Sequence, residues 1–211
     1  MSSFNYIGVN APTQDEQSNK GIFNIEDNYN LIVNGDFVLG SMYKHITTMD
    51  ITSQVATLDF VNPELVNYGQ LLIVANNLKY SGSTYSKLRL TPDGGTTYRS
   101  SGYSNGGYYG RANGGLTNDR NGSRDGIHMS ITGNTATTGY HFVLLLGGLS
   151  TEYNTRAQFY QTNDYTGQLA VGWGGGFYNT DERHNGFQFV NSGSYNFSTG
   201  TVSVYGLEVG F

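Results

Sequence analysis

Lys87-Leu88-Arg89-Leu90-Thr91-Pro92-Asp93-Gly94-Gly95 decides the fold class of this 211-residue chain. Leu88 and Leu90 alternate with Lys87, Arg89 and Thr91, the period of a strand with one buried face. Pro92 presets φ for a first corner and the glycines accept the positive φ that a return strand needs, so a hairpin is predicted here. Working outward, the same period recurs. Ala56, Leu58 and Phe60 share one face, with Thr57 and Asp59 on the other. Leu71 to Ala75 is continuous enough to predict a central strand covered on both sides. Further strands are predicted around Ile127, Met129 and Ile131, from Tyr140 to Leu146, and at Ala157 and Phe159. Others follow through Leu169, Val171 and Trp173, at Phe187 and Phe189, and from Val202 to Val209. Pattern counting predicts about nine or ten strands.

No amphipathic helix long enough for a parallel crossover follows residue 35, so the strands are expected to pair antiparallel. The expected fold is all-β, an antiparallel jelly-roll-like β-sandwich over residues 41–211. Residues 1–40 read as an N-terminal arm. They are polar and aperiodic up to Lys20, and a short helix is predicted between Gly21 and Leu31, where Ile25, Tyr29 and Ile32 recur near helical spacing.

Composition narrows the function classes. Thirty glycines, 17 tyrosines and only 13% charged residues suit a turn-rich, aromatic recognition or structural protein better than an enzyme. The net charge of −5, with lysines and arginines scattered, exerts no pull on a phosphate backbone, so nucleic acid is not an expected partner. With no cysteine, disulfides, thiolate metal sites and cysteine nucleophiles are excluded. The first residues carry no basic and apolar leader, and no run is apolar enough to insert in a membrane.

Gly102 to Gly126 is the least ordinary segment, with eight glycines among Tyr103, Tyr108, Tyr109, Arg111 and several asparagines. It reads as a long connection without secondary structure of its own, and such connections are usually functional. Tyrosine supplies large rigid contact area at little entropic cost. Tyr103, Tyr108, Tyr109 and Arg111 are therefore ligand- or receptor-contact candidates. Trp173, the sole tryptophan, lies close to Phe177 and Tyr178 and is the fifth. It is either a stacking platform for a sugar ring or a core side chain, and burial statistics favour the core.

Motifs for chemistry are sparse. His45, His128, His141 and His184 show no metal-ligand spacing, and ordinary surface or strand positions are expected, with His141 half buried and bonded to backbone. Asp119 to Asp125 alternates oxygen side chains as a calcium loop does, but lacks its glycine and final glutamate, so a solvated loop is expected. Asp181 and Glu182 are adjacent and would point to opposite faces of a strand, which disqualifies them as a glycosidase pair. No nucleophile elbow or phosphate loop is present. No catalytic residue, metal site or cofactor is assigned.

Several stretches carry a resemblance: Ala56 to Phe60, Tyr68 to Leu78, Leu88 to Tyr103 with its D-G-G-T-x-Y…S-G-Y turn, and the terminal Gly200-Thr201-Val202-Ser203-Val204-Tyr205-Gly206-Leu207. Together they resemble small virion structural proteins of marine and cyanobacterial tailed phages, described as tail-fibre, tail or structural proteins. Gly21 to Asp27 resembles a segment preceding the β domain in phage tail-associated proteins. The resemblance implies a non-enzymatic protein located in the virion, displayed on its exterior in a tail or as capsid decoration. Its implied partners are other virion proteins; a homotrimer is also expected, since an aromatic-rich, cysteine-free sandwich can bury extra apolar area in a closed cyclic interface. The arm would dock on the particle, with Phe4, Tyr6, Ile22, Phe23 and Ile25 as docking candidates. The alternatives are a carbohydrate-binding module or receptor-binding lectin for a host-surface glycan, and then a small polysaccharide depolymerase.

Overall fold

The computed structural model describes residues 14–15, 18–19, 43–82, 84–111, 114, 116–129, 139–150, 153–165 and 168–207. The chain divides into two units, Met1–Ser41 and Met42–Phe211. In the first, β1 (Gln14–Asp15) and β2 (Ser18–Asn19) pair antiparallel. The helix predicted over residues 21–31 and the docking candidates Phe4, Tyr6, Ile22, Phe23 and Ile25 lie outside the described residues.

The second unit is an antiparallel β-sandwich. Its strands are β3 (Tyr43–Ile51), β4 (Thr57–Val61), β5 (Gln70–Tyr80), β6 (Ser86–Thr91), β7 (Tyr103–Arg111) and β8 (Leu116–Arg124). They continue with β9 (Ile127–His128), β10 (Tyr140–Gly147), β11 (Arg156–Tyr165), β12 (Gln168–Tyr178), β13 (Gly186–Asn191) and β14 (Phe197–Leu207). One sheet has eight strands in the order β3-β14-β5-β10-β11-β12-β7-β8, and the other has four in the order β4-β13-β6-β9. Eight strands form a frame in which every step along the chain except β6 to β9 changes sheet: β3, β5, β10 and β14 lie in the large sheet, β4, β6, β9 and β13 in the small one. Two hairpins interrupt this alternation. β7–β8 follows β6, β11–β12 follows β10, and β12 pairs with β7, so four added strands widen the large sheet beyond β10.

Period-2 burial builds the core. Leu71, Ile73, Ala75 and Leu78 of β5, Phe142, Leu144 and Leu146 of β10, and Val202 and Val204 of β14 point inward. They meet Leu58, Phe60, Leu88, Leu90, Phe187 and Phe189 from the small sheet. Phe142 and Phe189 touch across the layers edge to face at 5.4 Å. Buried tyrosines brace the two sheets through their hydroxyls, which must find partners once they leave water. Tyr80 Oη lies 2.6 Å from Ser86 Oγ, Tyr103 Oη accepts from the Leu90 N–H at 2.9 Å, and Tyr140 Oη donates to the Met129 carbonyl at 2.9 Å. Burial drives all three phenols well above the usual tyrosine range, so they stay neutral donors and acceptors.

Several expectations change. Residues 102–126 are not a long connection: most of them form β7 and β8, with Tyr108 opposite Asn118 and Gly107 opposite Asp119. Glycine and asparagine are poor strand formers, so propensity hides a hairpin that is held by pairing with β12. Asp119 to Arg124 is accordingly strand, not a calcium-type or solvated loop. Pro92 to Gly95 does turn, with φ of +71° at Gly94 and +86° at Gly95, but it makes no hairpin. β6 pairs with β13 and β9, while the chain crosses to the large sheet as β7. Asp93 fixes this crossing by accepting from the Thr97 N–H at 2.8 Å, the Thr97 hydroxyl at 2.6 Å and the Thr91 hydroxyl at 2.8 Å. Those bonds hold its carboxyl at about 2. Ala56 precedes β4 and is exposed. In β5, Leu72 and Val74 are half-buried, so that strand is covered on one face only.

Candidate functional site on the sheet extension

Among the strands added beyond β10, β12 inverts the usual rule for a sandwich. In β12 the inward positions are Ala170, Gly172, Gly174, Gly176 and Tyr178, while Leu169, Val171, Trp173 and Phe177 face outward. The inward positions from 170 to 176 are small because β11 and the small sheet already fill the space, and only at the end of the strand does Tyr178 find room against Tyr103 and His184. A Cβ on Gly174 would lie 2.8 Å from Phe159 Cζ, and one on Gly176 would lie 3.0 Å from Ile127 Cγ2. The large side chains of β12 are therefore left to the outer face.

Register assembles those side chains into a row. Val74, Val143, Tyr160, Trp173 and Tyr108 are successive cross-strand neighbours on β5, β10, β11, β12 and β7. Tyr160 is 67% exposed and Trp173 42%, values far from those of a core. The Trp173 and Tyr108 rings stack with centroids 6.0 Å apart and planes 29° from parallel. On one flank of this ridge lies a hollow of about 380 Å³ lined by Val74, His141, Val143, Tyr160, Val171 and Trp173. On the other is an open groove of about 720 Å³, where Gly106 and Gly175 stand opposite each other and Ser104, Arg156, Gln158 and Phe177 form the sides.

Of the five predicted contact residues, the structure brings together Tyr108 and Trp173. Trp173 is outward, against the weight of burial statistics, because its strand has no inward room for large side chains. Tyr103 is fully buried and committed to Leu90, so it cannot contact a ligand. Tyr109 and Arg111 alternate with Tyr108 and so lie on the opposite face, the Arg111 guanidinium 5.6 Å from the Tyr109 ring centre. Phe177, read beside Trp173 from the sequence, is outward too, whereas Tyr160, Arg156 and Gln158 carry no sequence signal as site residues, because nothing in their own strand says which face is outward. The one available signal is the glycine run in β12, which marks a strand whose inner face has no space.

The remaining titratable groups serve structure. His184 is buried, its Nδ1 2.9 Å from Thr155 Oγ1 and its Nε2 3.3 Å from Glu182 Oε2 in an electrostatic contact without hydrogen-bond geometry. Glu182 is held by a two-pronged bond from Arg99. This hydroxyl–imidazole–carboxylate order imitates a hydrolytic triad, yet Thr155 has no exposed surface for a substrate to reach. Burial lowers the His184 pKa despite the Glu182 charge, and the Arg99 guanidinium holds Glu182 below the usual carboxylate range. Asp181 and Glu182 lie between strands, not in one. Asp125 gathers Lys87 at 2.6 Å, Arg89 at 2.8 Å and His128 at 3.4 Å, pinning the end of β8 to β6. Burial would raise the Asp125 carboxyl, but Lys87, His128 and Arg89 hold it far below its usual range. His128 is itself buried, and burial lowers its pKa. His45 bonds Thr48, and the exposed His141 accepts from the Asn77 N–H at 3.3 Å, so the expected backbone bond is present without half burial. Among the described residues no carboxylate lines the hollow or the groove. Comparison of the chain with protein-family models, curated proteins and solved structures yields no match.

Proposed function

We propose that this chain is a structural protein of a tailed-phage virion, carried on the particle exterior as a tail-fibre, tail-associated or capsid-decorating component and attached through residues 1–40. The observation that carries the reading is the frame itself. Its eight strands divide equally between two layers in the orders β3-β14-β5-β10 and β4-β13-β6-β9, which we read as a jelly roll, an architecture that serves as a self-contained displayed module in capsids and lectins. The resemblance of its strand and turn segments to phage virion proteins supports the same reading. Fold alone does not fix function, so the test is location. Antibody labelling of whole particles is expected to decorate the tail or capsid exterior, and deletion of residues 1–20 is expected to abolish incorporation. Absence of label from intact particles sinks the proposal. Assembly as a homotrimer is part of it, and light scattering at micromolar concentration is expected to give three times the 23.0 kDa chain mass.

A second reading, ligand recognition by the sandwich as in a receptor-binding lectin, has its own observation. The outer face of the added strands exposes stacked aromatic rings beside an open groove, the arrangement on which a sugar's C–H face packs. The two readings are compatible on one particle.

A further inference from the structure

We infer that the groove beside the aromatic ridge binds an acidic oligosaccharide, with Arg156 receiving its carboxylate; this rests on the recognition reading of the same face and narrows it to a ligand class. The groove's sides come from two neighbouring strands in fixed register. Arg156 stands opposite Phe177, Gln158 opposite Gly175, and Tyr160 opposite Trp173. Trp173 and Phe177 are thus two ring platforms on β12, roughly 13 Å apart by strand rise, with a glycine gap between them. Gly106 lies across that gap on β7, so no side chain rises from the floor on either strand. A linked chain of rings can lie along the gap with one ring against each aromatic.

The polar side is equally specific. Arg156 and Gln158 are exposed, and neither side chain makes a hydrogen bond or ion pair among the described residues. The Gln158 amide offers both donor and acceptor to hydroxyls, and the Arg156 guanidinium offers a planar fork that matches a carboxylate. Arg156 is the only charged side chain lining the groove among the described residues, and no carboxylate there competes for it. A neutral glycan would leave that cation unused, and a second copy meeting it with this same carboxylate-free face would bury it unpaired, which is costly.

Trp173 is the only tryptophan, so intrinsic fluorescence of the intact protein reports on the site. Titration with an oligogalacturonate is expected to give a saturable change, with a cello-oligosaccharide of equal length binding about tenfold more weakly or not at all. R156Q is expected to weaken the acidic ligand by about tenfold or more and leave the neutral one unchanged, because only the charge-assisted bond is lost. F177A weakens both. Added salt lowers affinity for the acidic ligand alone. Equal binding of the two sugars, or indifference to R156Q, overturns the acidic assignment and leaves the recognition reading standing. No saturable response to either sugar, confirmed by absence of heat in calorimetry, overturns both. A fluorescence shift on concentrating the protein without sugar, with rising mass, shows the face covered by another copy and also overturns the inference.

Discussion

The eight-strand frame and the four strands that extend it are made from the same residue types and use them in opposite directions. In β10 of the frame, Tyr140, Phe142, Leu144 and Leu146 are buried and His141 and Val143 face out. In β12 of the extension, glycine and alanine occupy most of the inner positions and Leu169, Val171, Trp173 and Phe177 the outer ones. Burial of large apolar surface is the dominant stabilising term, so the frame's aromatics are explained by folding alone. The outward aromatics of the extension are not, and exposed apolar patches of this kind mark interaction surfaces. The difference separates side chains that hold the molecule together from side chains that it presents.

The sharpest way to break this comparison is to truncate one ring from each region. Phe189→Ala removes a fully buried ring that touches Phe60, Phe142 and Phe187, and should cost about 3–5 kcal/mol in urea denaturation. Trp173→Ala should cost no more than about 1 kcal/mol, as a half-exposed surface position. Equal losses would mean that Trp173 belongs to the core and that the extension has no presenting face.

The next effect tests why β12 is inverted. Gly174→Ala places a methyl 2.8 Å from Phe159 Cζ and 2.7 Å from the Gly106 carbonyl oxygen, so overpacking should destabilise by about 1–3 kcal/mol. Shortening the obstructing ring in Gly174→Ala/Phe159→Leu should give a smaller loss than the sum of the two single changes, measured as a double-mutant cycle. Strict additivity would disconnect the inner glycines from the outward turn of the aromatics. Tyr103→Phe follows in size. It leaves the buried Leu90 N–H without its acceptor and should cost about 1–3 kcal/mol, even though Tyr103 shares its strand with the outward Tyr108.

These residues also show how far the sequence could be read. Alternation at Leu58 and Phe60, and at Leu88 and Leu90, identifies strands of the frame because apolar and polar side chains take opposite faces, even though in β6 the polar Lys87 and Thr91 are buried as well. The same alternation identified Leu169, Val171 and Trp173 as a strand but pointed it the wrong way, since period 2 is blind to which face is inside. The inner face of β12 is decided by Phe159 and Ile127, which belong to other strands. The β7–β8 hairpin was illegible because its glycines and asparagines carry turn signals, and only pairing with β12 makes them strand. The turn at Pro92 was legible as a turn. Its destination was not, because Asp93, Thr91 and Thr97 bond locally while the choice of sheet rests on Tyr103 meeting Leu90.

The smallest expected effect concerns pH, and it falls on the joints between frame and extension. His128 faces Asp125, Lys87 and Arg124 where β8 leads into β9, and His184 faces Glu182 and Arg99 where β12 leads into β13. Burial lowers both pKa values below the unfolded value of 6.5, so in the window beneath 6.5 the unfolded chain binds protons that the folded chain does not. Stability contributed by the neutral rings is complete above that pH and is lost as pH falls through the folded values. Asp93, Asp125 and Glu182, all lowered, keep their charge through this range, and their own losses begin only as pH falls through the ordinary carboxylate range, where the unfolded chain takes up protons first. The urea midpoint is therefore expected to fall between pH 7.5 and 5.5. H184Q, which retains polar reach without a titrating ring, should flatten that slope, and a slope unchanged in both H184Q and H128Q would show that the joints do not sense pH.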